Sequence, residues 1–366
     1  MILPNRRIII AGGGTGGHIF PAIAIANALR KKDPGMSILF VGAHGKMEMQ
    51  KVPEAGFNIE GIDIAGFDRS SLIRNIGLPF KLVKSFFQVR RIFQSFKPTA
   101  VIGVGGYSSF PVLRFAQAKG LPTFIHESNS FAGKSNKLLG RKATAIFVAS
   151  DNMGQFFPQE KIIITGNPVR RQLLNQTIHR EQALTFFGLD PGKQTVLVIG
   201  GSLGAKSINE TIDAGISVFQ KNDLQLIWQT GKNYVVKAAE RAVEDKRIWV
   251  NDFITRMELA FAAGDLVISR AGAMTIAELC VVRKPVIFVP YPFAAEDHQT
   301  VNAQQLASKN AGIMIKDAEV KELLIPELLN LIGDKERQRQ LSENIGMLAV
   351  TNADELIADE ILRRIN

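Results

Sequence analysis

The sequence is short of several things, and each shortage narrows the field. One cysteine, Cys280, in 366 residues excludes intrachain disulfides and thiolate-cluster metal sites. It falls in an apolar helical stretch, where a buried, inert thiol is expected. No run of 18 apolar residues occurs, so no membrane-spanning helix is expected. The first residues, Met1-Ile2-Leu3-Pro4-Asn5-Arg6-Arg7, lack the apolar stretch of a signal peptide, and the simplest compartment is the cytoplasm. Acid is missing from one long segment: between Arg69 and His126 there are nine basic residues and no Asp or Glu. Residues 1–166 hold 21 Lys/Arg against 9 Asp/Glu, and the remainder 23 against 25. The net charge of +10 is therefore concentrated in the first half, which suggests an anionic partner there: nucleic acid, phosphate-bearing lipid or membrane surface.

What is present is ordered around two glycine loops. Gly12-Gly13-Gly14-Thr15-Gly16-Gly17-His18 follows the apolar run Arg7–Ala11 and precedes the helix formers Pro21–Leu29. Strand, glycine loop and helix in that order make an anion-binding turn, because the helix N-terminus offers unpaired N–H groups and partial positive charge. Gly200-Gly201-Ser202-Leu203-Gly204 follows a second β-branched run, Thr195–Ile199. Strands are expected at 7–11, 37–42, 100–104, 122–126, 144–148 and 161–164, with helices at 17–32, 46–56, 79–96, 108–119 and 131–140 between them. The second half repeats the alternation, with strands at 195–199, 224–229, 247–250, 266–268, 286–289 and 313–315. Its helices are expected at 204–220, 232–243, 255–262, 273–282, 299–309 and 320–331, with a last one at 335–364. The fold class is α/β: two Rossmann-like, doubly wound domains with mainly parallel sheets, facing one another.

The first loop invites a dinucleotide reading, which fails one test. The second strand ends in Ala43-His44, where an acidic residue for ribose is required, and Asp33 lies before that strand. The second half offers a better nucleotide site. The strand Asp265–Arg270 runs into Ala271-Gly272-Ala273-Met274-Thr275-Ile276-Ala277-Glu278, whose small residues at a helix start let N–H groups meet a pyrophosphate. Glu278, a turn further in, suits a pair of ribose hydroxyls, or is a surface charge on that helix. Ser202 suits a phosphate oxygen or an N-cap, and Arg170 suits diphosphate charge. In the basic segment, Leu72, Ile73 and Ile76 sit among polar residues with Lys81 and Lys84 beyond. Apolar groups among headgroups with cations beside them fit an anionic membrane surface. The segment lacks the interleaved aromatics of a nucleic-acid groove, so no nucleic acid is expected.

Together these segments resemble a known family, the bacterial peptidoglycan N-acetylglucosaminyltransferases that convert lipid I to lipid II. The resemblance covers essentially the whole chain. It is carried by Gly13–His18, Gly105-Gly106-Tyr107, His126-Glu127-Ser128-Asn129, Gly166-Asn167-Pro168-Val169-Arg170, Gly200–Ala205, Phe253-Ile254 and Ser269–Thr275. Ser128 and Leu203 stand where the family often has Gln, and one glutamine of a usual pair remains in His298-Gln299-Thr300. The resemblance implies a two-domain glycosyltransferase fold (GT-B). Residues 1–166 would form an acceptor- and membrane-associated domain and 167–340 a donor domain. Residues 341–366 would form a helix returning to the first domain. It implies UDP-N-acetylglucosamine as donor, held by Thr15, Gly16, Gly17, Asn129, Arg170, Ser202, Ile254 through its backbone, Ala273 to Glu278, and Gln299.

Undecaprenyl-linked lipid I would be the acceptor, with the enzyme peripheral on the cytoplasmic face of the inner membrane and a cell-wall synthesis complex as its setting. No cofactor and no metal are expected, since no Asp-x-Asp pair occurs to bridge a metal to diphosphate. The muramyl 4-hydroxyl would attack with inversion, the leaving charge being met by the helix start at Ala273–Thr275, Ser202 and Arg170. The attacking hydroxyl needs a base. His18 suits proton transfer near neutral pH, or pins its loop by a structural hydrogen bond; Glu127 is the second candidate, with a structural role equally open. A glycosyltransferase of another lipid such as diacylglycerol, and a non-catalytic UDP-sugar-binding protein, are the alternatives.

Overall fold

The computed structural model describes residues 6–66, 77–174, 178–201, 204–294 and 297–365. The chain divides into two compact units, one of residues 1–170 and 352–366, the other of residues 171–351.

In unit 1 the strands are β1 (Arg7–Ala11), β2 (Ser37–Ala43), β3 (Asn58–Ile62), β4 (Ala100–Gly103), β5 (Thr123–Glu127), β6 (Ala145–Val148) and β7 (Ile162–Ile164). They form one parallel sheet in the order β3-β2-β1-β4-β5-β6-β7. The helices are α1 (Gly16–Lys32), α2 (Glu48–Glu54), α3 (Leu78–Phe96), α4 (Ser109–Ala118) and α5 (Lys134–Gly140). Ile8, Ile9 and Ile10 are wholly buried, as consecutive apolar residues must be when helices cover both faces of a parallel sheet. Ile8 and Ile10 enter the core on one face and Ile9 that on the other.

Unit 2 repeats the design. Its strands β8 (Thr195–Ile199), β9 (Gln225–Gln229), β10 (Ile248–Asn251), β11 (Leu266–Ser269), β12 (Val286–Phe288) and β13 (Ile313–Met314) lie in the order β10-β9-β8-β11-β12-β13, all parallel. Its helices are α6 (Arg171–Leu174), α7 (Arg180–Phe187), α8 (Lys206–Ala214), α9 (Ile216–Lys221), α10 (Val235–Glu244), α11 (Met257–Ala263), α12 (Ala273–Val282), α13 (His298–Ala307), α14 (Val320–Gly333) and α15 (Lys335–Gly346). The chain then rejoins unit 1 as α16 (Ala353–Arg364). Ile357, Ala358 and Ile361 of α16 complete the core beside Ile25 and Leu29, while Lys31 and Lys32 pair with Glu355 and Asp359 at 3.0 and 2.6 Å.

Five elements differ from expectation. The helix expected over 335–364 is two helices: the chain leaves the first after Gly346, Leu348 and Ala349 pack on the core of unit 2, and a new helix starts after Asn352. The helix expected over 204–220 breaks at Gly215, where an added Cβ would lie 2.7 Å from Ile325 of the neighbouring α14. Strand β3 was not foreseen, because Asn58-Ile59-Glu60-Gly61-Ile62 is a half-polar edge strand with a glycine inside it. Helices α6 and α7 were also missed, and the unit boundary falls after Arg170 rather than after 166.

Candidate functional site

Both sheets reverse strand order beside their first strand, at β1/β4 and at β8/β11. Ligands of open α/β sheets bind outside the carboxyl ends of the strands at such switch points. At these points lie the loop before His18 on α1 in unit 1 and the start of α12 at Ala273–Thr275 in unit 2.

In unit 1 the loop after β1 leads into α1, whose N-cap Thr15 is extended and makes no side-chain cap. The ring of His18, on the first turn of α1, turns back to the loop, its Nδ1 lying 3.1 Å from the carbonyl oxygen of Gly13. A carbonyl only accepts, so Nδ1 carries the proton and Nε2 holds the lone pair of the neutral ring. The ring is packed against the Gly105-Gly106 turn after β4: a Cβ on Gly105, whose φ is +94°, would lie 2.8 Å from Nε2. Burial lowers the basicity of His18, opposed by the charge of Glu127, the Gly13 contact and the charge of Glu48. His126, wholly buried on β5, is driven down to about 4 by burial, with His18 adding to the shift.

Glu127 closes β5 and is 4% exposed. Its Oε1 accepts from the backbone N–H and the Nδ2 of Asn129, both at 3.2 Å; its Oε2 accepts from Gly133 N–H at 3.1 Å and Asn136 Nδ2 at 2.8 Å. Four donors fill the four acceptor positions of a carboxylate. Of its two expected roles the geometry favours the structural one: Glu127 organises the loop after β5 and sets a negative charge near His18. One N–H of the Asn129 amide is committed to it. The guanidinium of Arg170 lies over the ring of Phe20, 4.0 Å from its centre.

One residue that sequence reasoning passed over is Glu48, on the first turn of α2. It is 1% exposed, and its carboxylate accepts from Gly14 N–H at 2.8 Å and from Ala43 N–H at 3.0 Å. A Cβ on Gly13 would lie 2.3 Å from its carboxyl carbon, so only glycine admits it. Its one sequence signal is a Glu six residues after β2 ends at Gly42 in the expected assignment, too weak to stand out.

In unit 2 the loop after β11 opens into α12, whose N-cap Gly272 bears no side chain, so no side chain caps the first turn at Ala273, Met274 and Thr275. Glu278 is 5% exposed, which removes its reading as a surface charge. Ile254 is buried and its N–H donates to Gln229 Oε1 at 3.1 Å, leaving the carbonyl as its backbone group for a ligand. Gln229, also missed, ends β9 and ties two loops together, its Nε2 donating to Gly201 O at 3.0 Å. Gln299 accepts from Tyr291 N–H at 3.0 Å, which leaves its amide N–H groups as donors. Arg270 clamps the floor: Nη1 donates to Asp317 and, at 3.1 Å each, to the carbonyls of Val289 and Pro290. Its Nη2 reaches Ser207 Oγ at 3.2 Å, and that hydroxyl donates to Asp317 at 2.5 Å. Ser202 lies outside the described residues, as do Leu72, Ile73 and Ile76.

Lys81 and Lys84 are on α3, and Lys84 pairs with Asp63 at 2.8 Å instead of standing alone. The apolar face of that region is one the sequence did not resolve: Phe80, Val83 and Phe87, 79%, 57% and 67% exposed, follow one another at helical spacing. Among the described residues no helix is long and apolar enough to cross a membrane.

Two doubly wound units with an open helix N-terminus at each switch point define a protein built to handle a nucleotide-bearing or otherwise anionic substrate. Residues 8–148 match the N-terminal domain, and residues 195–360 the C-terminal domain, of glycosyltransferase family 28. The chain is 51% identical, over 98% of its length and 96% of the relative's, to a transferase of Phocaeicola vulgatus. A Bacteroides fragilis transferase is 52% identical over 98% of this chain and 95% of its own. The crystal structure of Acinetobacter baumannii MurG superposes with a TM-score of 0.74 at 29% identity, covering 98% of this chain and 99% of that one. The chain therefore belongs to the family of UDP-N-acetylglucosamine–N-acetylmuramyl-(pentapeptide) pyrophosphoryl-undecaprenol N-acetylglucosamine transferases, the name both relatives carry.

Proposed function

We propose that the chain transfers N-acetylglucosamine from UDP-N-acetylglucosamine to the muramyl 4-hydroxyl of undecaprenyl-linked lipid I, forming lipid II for peptidoglycan. The observation that carries this is identity of about one half, end to end, with transferases of that name. The chemistry is an inverting displacement. Nε2 of His18 takes the hydroxyl proton, the oxygen bonds to the anomeric carbon, and the bond from that carbon to the diphosphate oxygen breaks, releasing UDP. Unit 1 supplies the base; unit 2 holds the nucleotide.

The leaving charge falls on the N–H groups of Ala273, Met274 and Thr275 and on the positive end of α12, with Arg170 and Ser202 assisting. Thr275, Ile276 and Ala277 lie along the diphosphate and Glu278 takes the ribose. The Ile254 carbonyl takes the uracil, and Gln299 the sugar. Thr15, Gly16, Gly17 and Asn129 complete the donor contacts. No cofactor or metal is assigned. The face of α3 bearing Phe80, Val83 and Phe87, with Lys81 beside it, rests on the anionic surface where the lipid acceptor resides, at the cytoplasmic side.

The test is transfer to lipid I from UDP-N-acetylglucosamine beside diacylglycerol with UDP-glucose. Transfer to lipid I alone is expected; transfer to diacylglycerol, or donor binding without any transfer, refutes the reading. In the same assay His18→Ala is expected to lose roughly 10²–10⁴-fold in kcat with little change in donor KM. Undiminished turnover removes His18 as the base.

A further inference from the structure

A glutamate on the first turn of a helix ordinarily faces water, where it answers the helix dipole. Glu48 does the opposite and is buried in the hollow of the first glycine loop. Burying a carboxylate is costly unless its oxygens are hydrogen-bonded, and here both are, to the N–H groups of Gly14 and Ala43 at 2.8 and 3.0 Å. The N–H of Gly14 belongs to the same peptide unit as the carbonyl of Gly13. That carbonyl is the group 3.1 Å from His18 Nδ1. One planar amide thus stands between carboxylate and imidazole, its N–H spent on Glu48 and its C=O on His18. The two ends of a trans peptide point in opposite directions, so fixing one fixes the other. Hydrogen bonds in such a chain also polarise one another in the same sense.

We propose that Glu48 is the positioning residue for His18, acting through the Gly13–Gly14 peptide: it locks that plane so the carbonyl holds His18 with its proton on Nδ1 and its lone pair on Nε2. Without the carboxylate the plane is free to turn, and the acceptor that fixes the tautomer is lost. This rests on the reading of His18 as base. Three titratable groups face the imidazole: Glu48 from α2, and Glu127 and the uncharged His126 from β5. Both carboxylates favour the imidazolium that forms when the acceptor's proton arrives. The loop hollow, filled by the chain's own carboxylate, is thereby withdrawn from phosphate binding at Gly14.

The experiment is the lipid I transfer assay on the full chain with Glu48→Gln, an isostere that sets an amide N–H₂ against one of the two backbone donors. A fall in kcat of roughly tenfold to a hundredfold, less than that of His18→Ala, is expected, with donor KM within about twofold. The acidic limb of kcat should move to lower pH, because removing a negative neighbour makes the imidazole harder to protonate. Glu54→Gln, on the exposed side of the same helix, should match the parent. If Glu48→Gln keeps the parental kcat and acidic limb while His18→Ala is inactive, the role of Glu48 is overturned. If His18→Ala turns over normally, the base reading itself fails. Should Glu48→Gln not fold, nitrogen NMR of the parent with labelled histidine decides. Above its titration, His18 is expected to be protonated at Nδ1, and protonation at Nε2 overturns the proposal.

Discussion

Loss of Arg270 should destabilise unit 2 through several directed contacts at once. Its guanidinium is 12% exposed and meets three carbonyl or carboxylate acceptors and a hydroxyl, drawn from the loops after β12, from the start of α8 and from Asp317. Arg270→Ala removes all four contacts and leaves Asp317, 22% exposed, without its cation. Stranding one member of a buried pair costs about 3–5 kcal/mol, and the residual solvent access of both groups places this case near about 3. Arg270→Lys keeps the charge but not the fork, and should cost about 1–2 kcal/mol. The chain supplies its own probe, since both tryptophans, Trp228 on β9 and Trp249 on β10, lie in unit 2. With a urea slope of about 2 kcal/mol/M, Arg270→Ala should lower the tryptophan-monitored midpoint by about 1.5 M, and Arg270→Lys by about half that. UDP-N-acetylglucosamine affinity should fall in parallel, because Arg270 stands in the loop that leads into α12. An Arg270→Ala midpoint within about 0.3 M of the parent, or equal losses for Ala and Lys, refutes the argument from four directed contacts.

Two further outcomes follow from other parts of the molecule. Burial pulls the Asp213 carboxyl upward, but hydrogen bonds from Lys237, Arg241 and Tyr234 outweigh it and hold the group at about 2 against an ordinary 3.8. A depressed carboxyl stabilises the fold above its unfolded value and loses that contribution as pH falls through its folded one. Asp213→Asn should therefore destabilise unit 2 by up to about 2 kcal/mol at pH 7, with about half that difference left near pH 3; a pH-independent difference in urea midpoints contradicts it. On α3, Phe80→Ser with Phe87→Ser should weaken sedimentation with anionic vesicles at least about tenfold, since each buried aromatic contributes about 1–2 kcal/mol at an interface. Unchanged binding sinks the membrane role of that face.

The fold was legible because apolar runs fully buried in a parallel sheet are uninterrupted in sequence. All strands but β3 could be placed to within a residue or two, and β3 escaped because an edge strand needs no such run. The uncapped helix start at Gly272–Thr275 was legible, since small residues after an apolar strand carry that information locally. The site was illegible where a side chain acts across the fold. Nothing near Glu48 says that it turns to Gly14, 34 residues away, and nothing near Gln229 says that it joins Gly201 to Ile254. Exposed Phe80 and Phe87 hid for another reason: helical spacing alone does not tell which apolar face is inside.

The two glycine loops illustrate how one architecture, used twice, acquires different chemistry. Both follow the first strand of a doubly wound sheet, where N–H groups converge on whatever anion is offered. In unit 1 the protein offers its own, Glu48, and the loop becomes a rigid mount for an imidazole. In unit 2 the corresponding loop is met by neutral Gln229, whose Nε2 donates to the carbonyl of Gly201 at 3.0 Å. In the first loop, a neutral amide in place of the carboxylate would free the Gly13–Gly14 peptide to turn. What distinguishes the two turns is the side chain that meets each: Glu48 on the N–H of Gly14 in one, Gln229 on the carbonyl of Gly201 in the other.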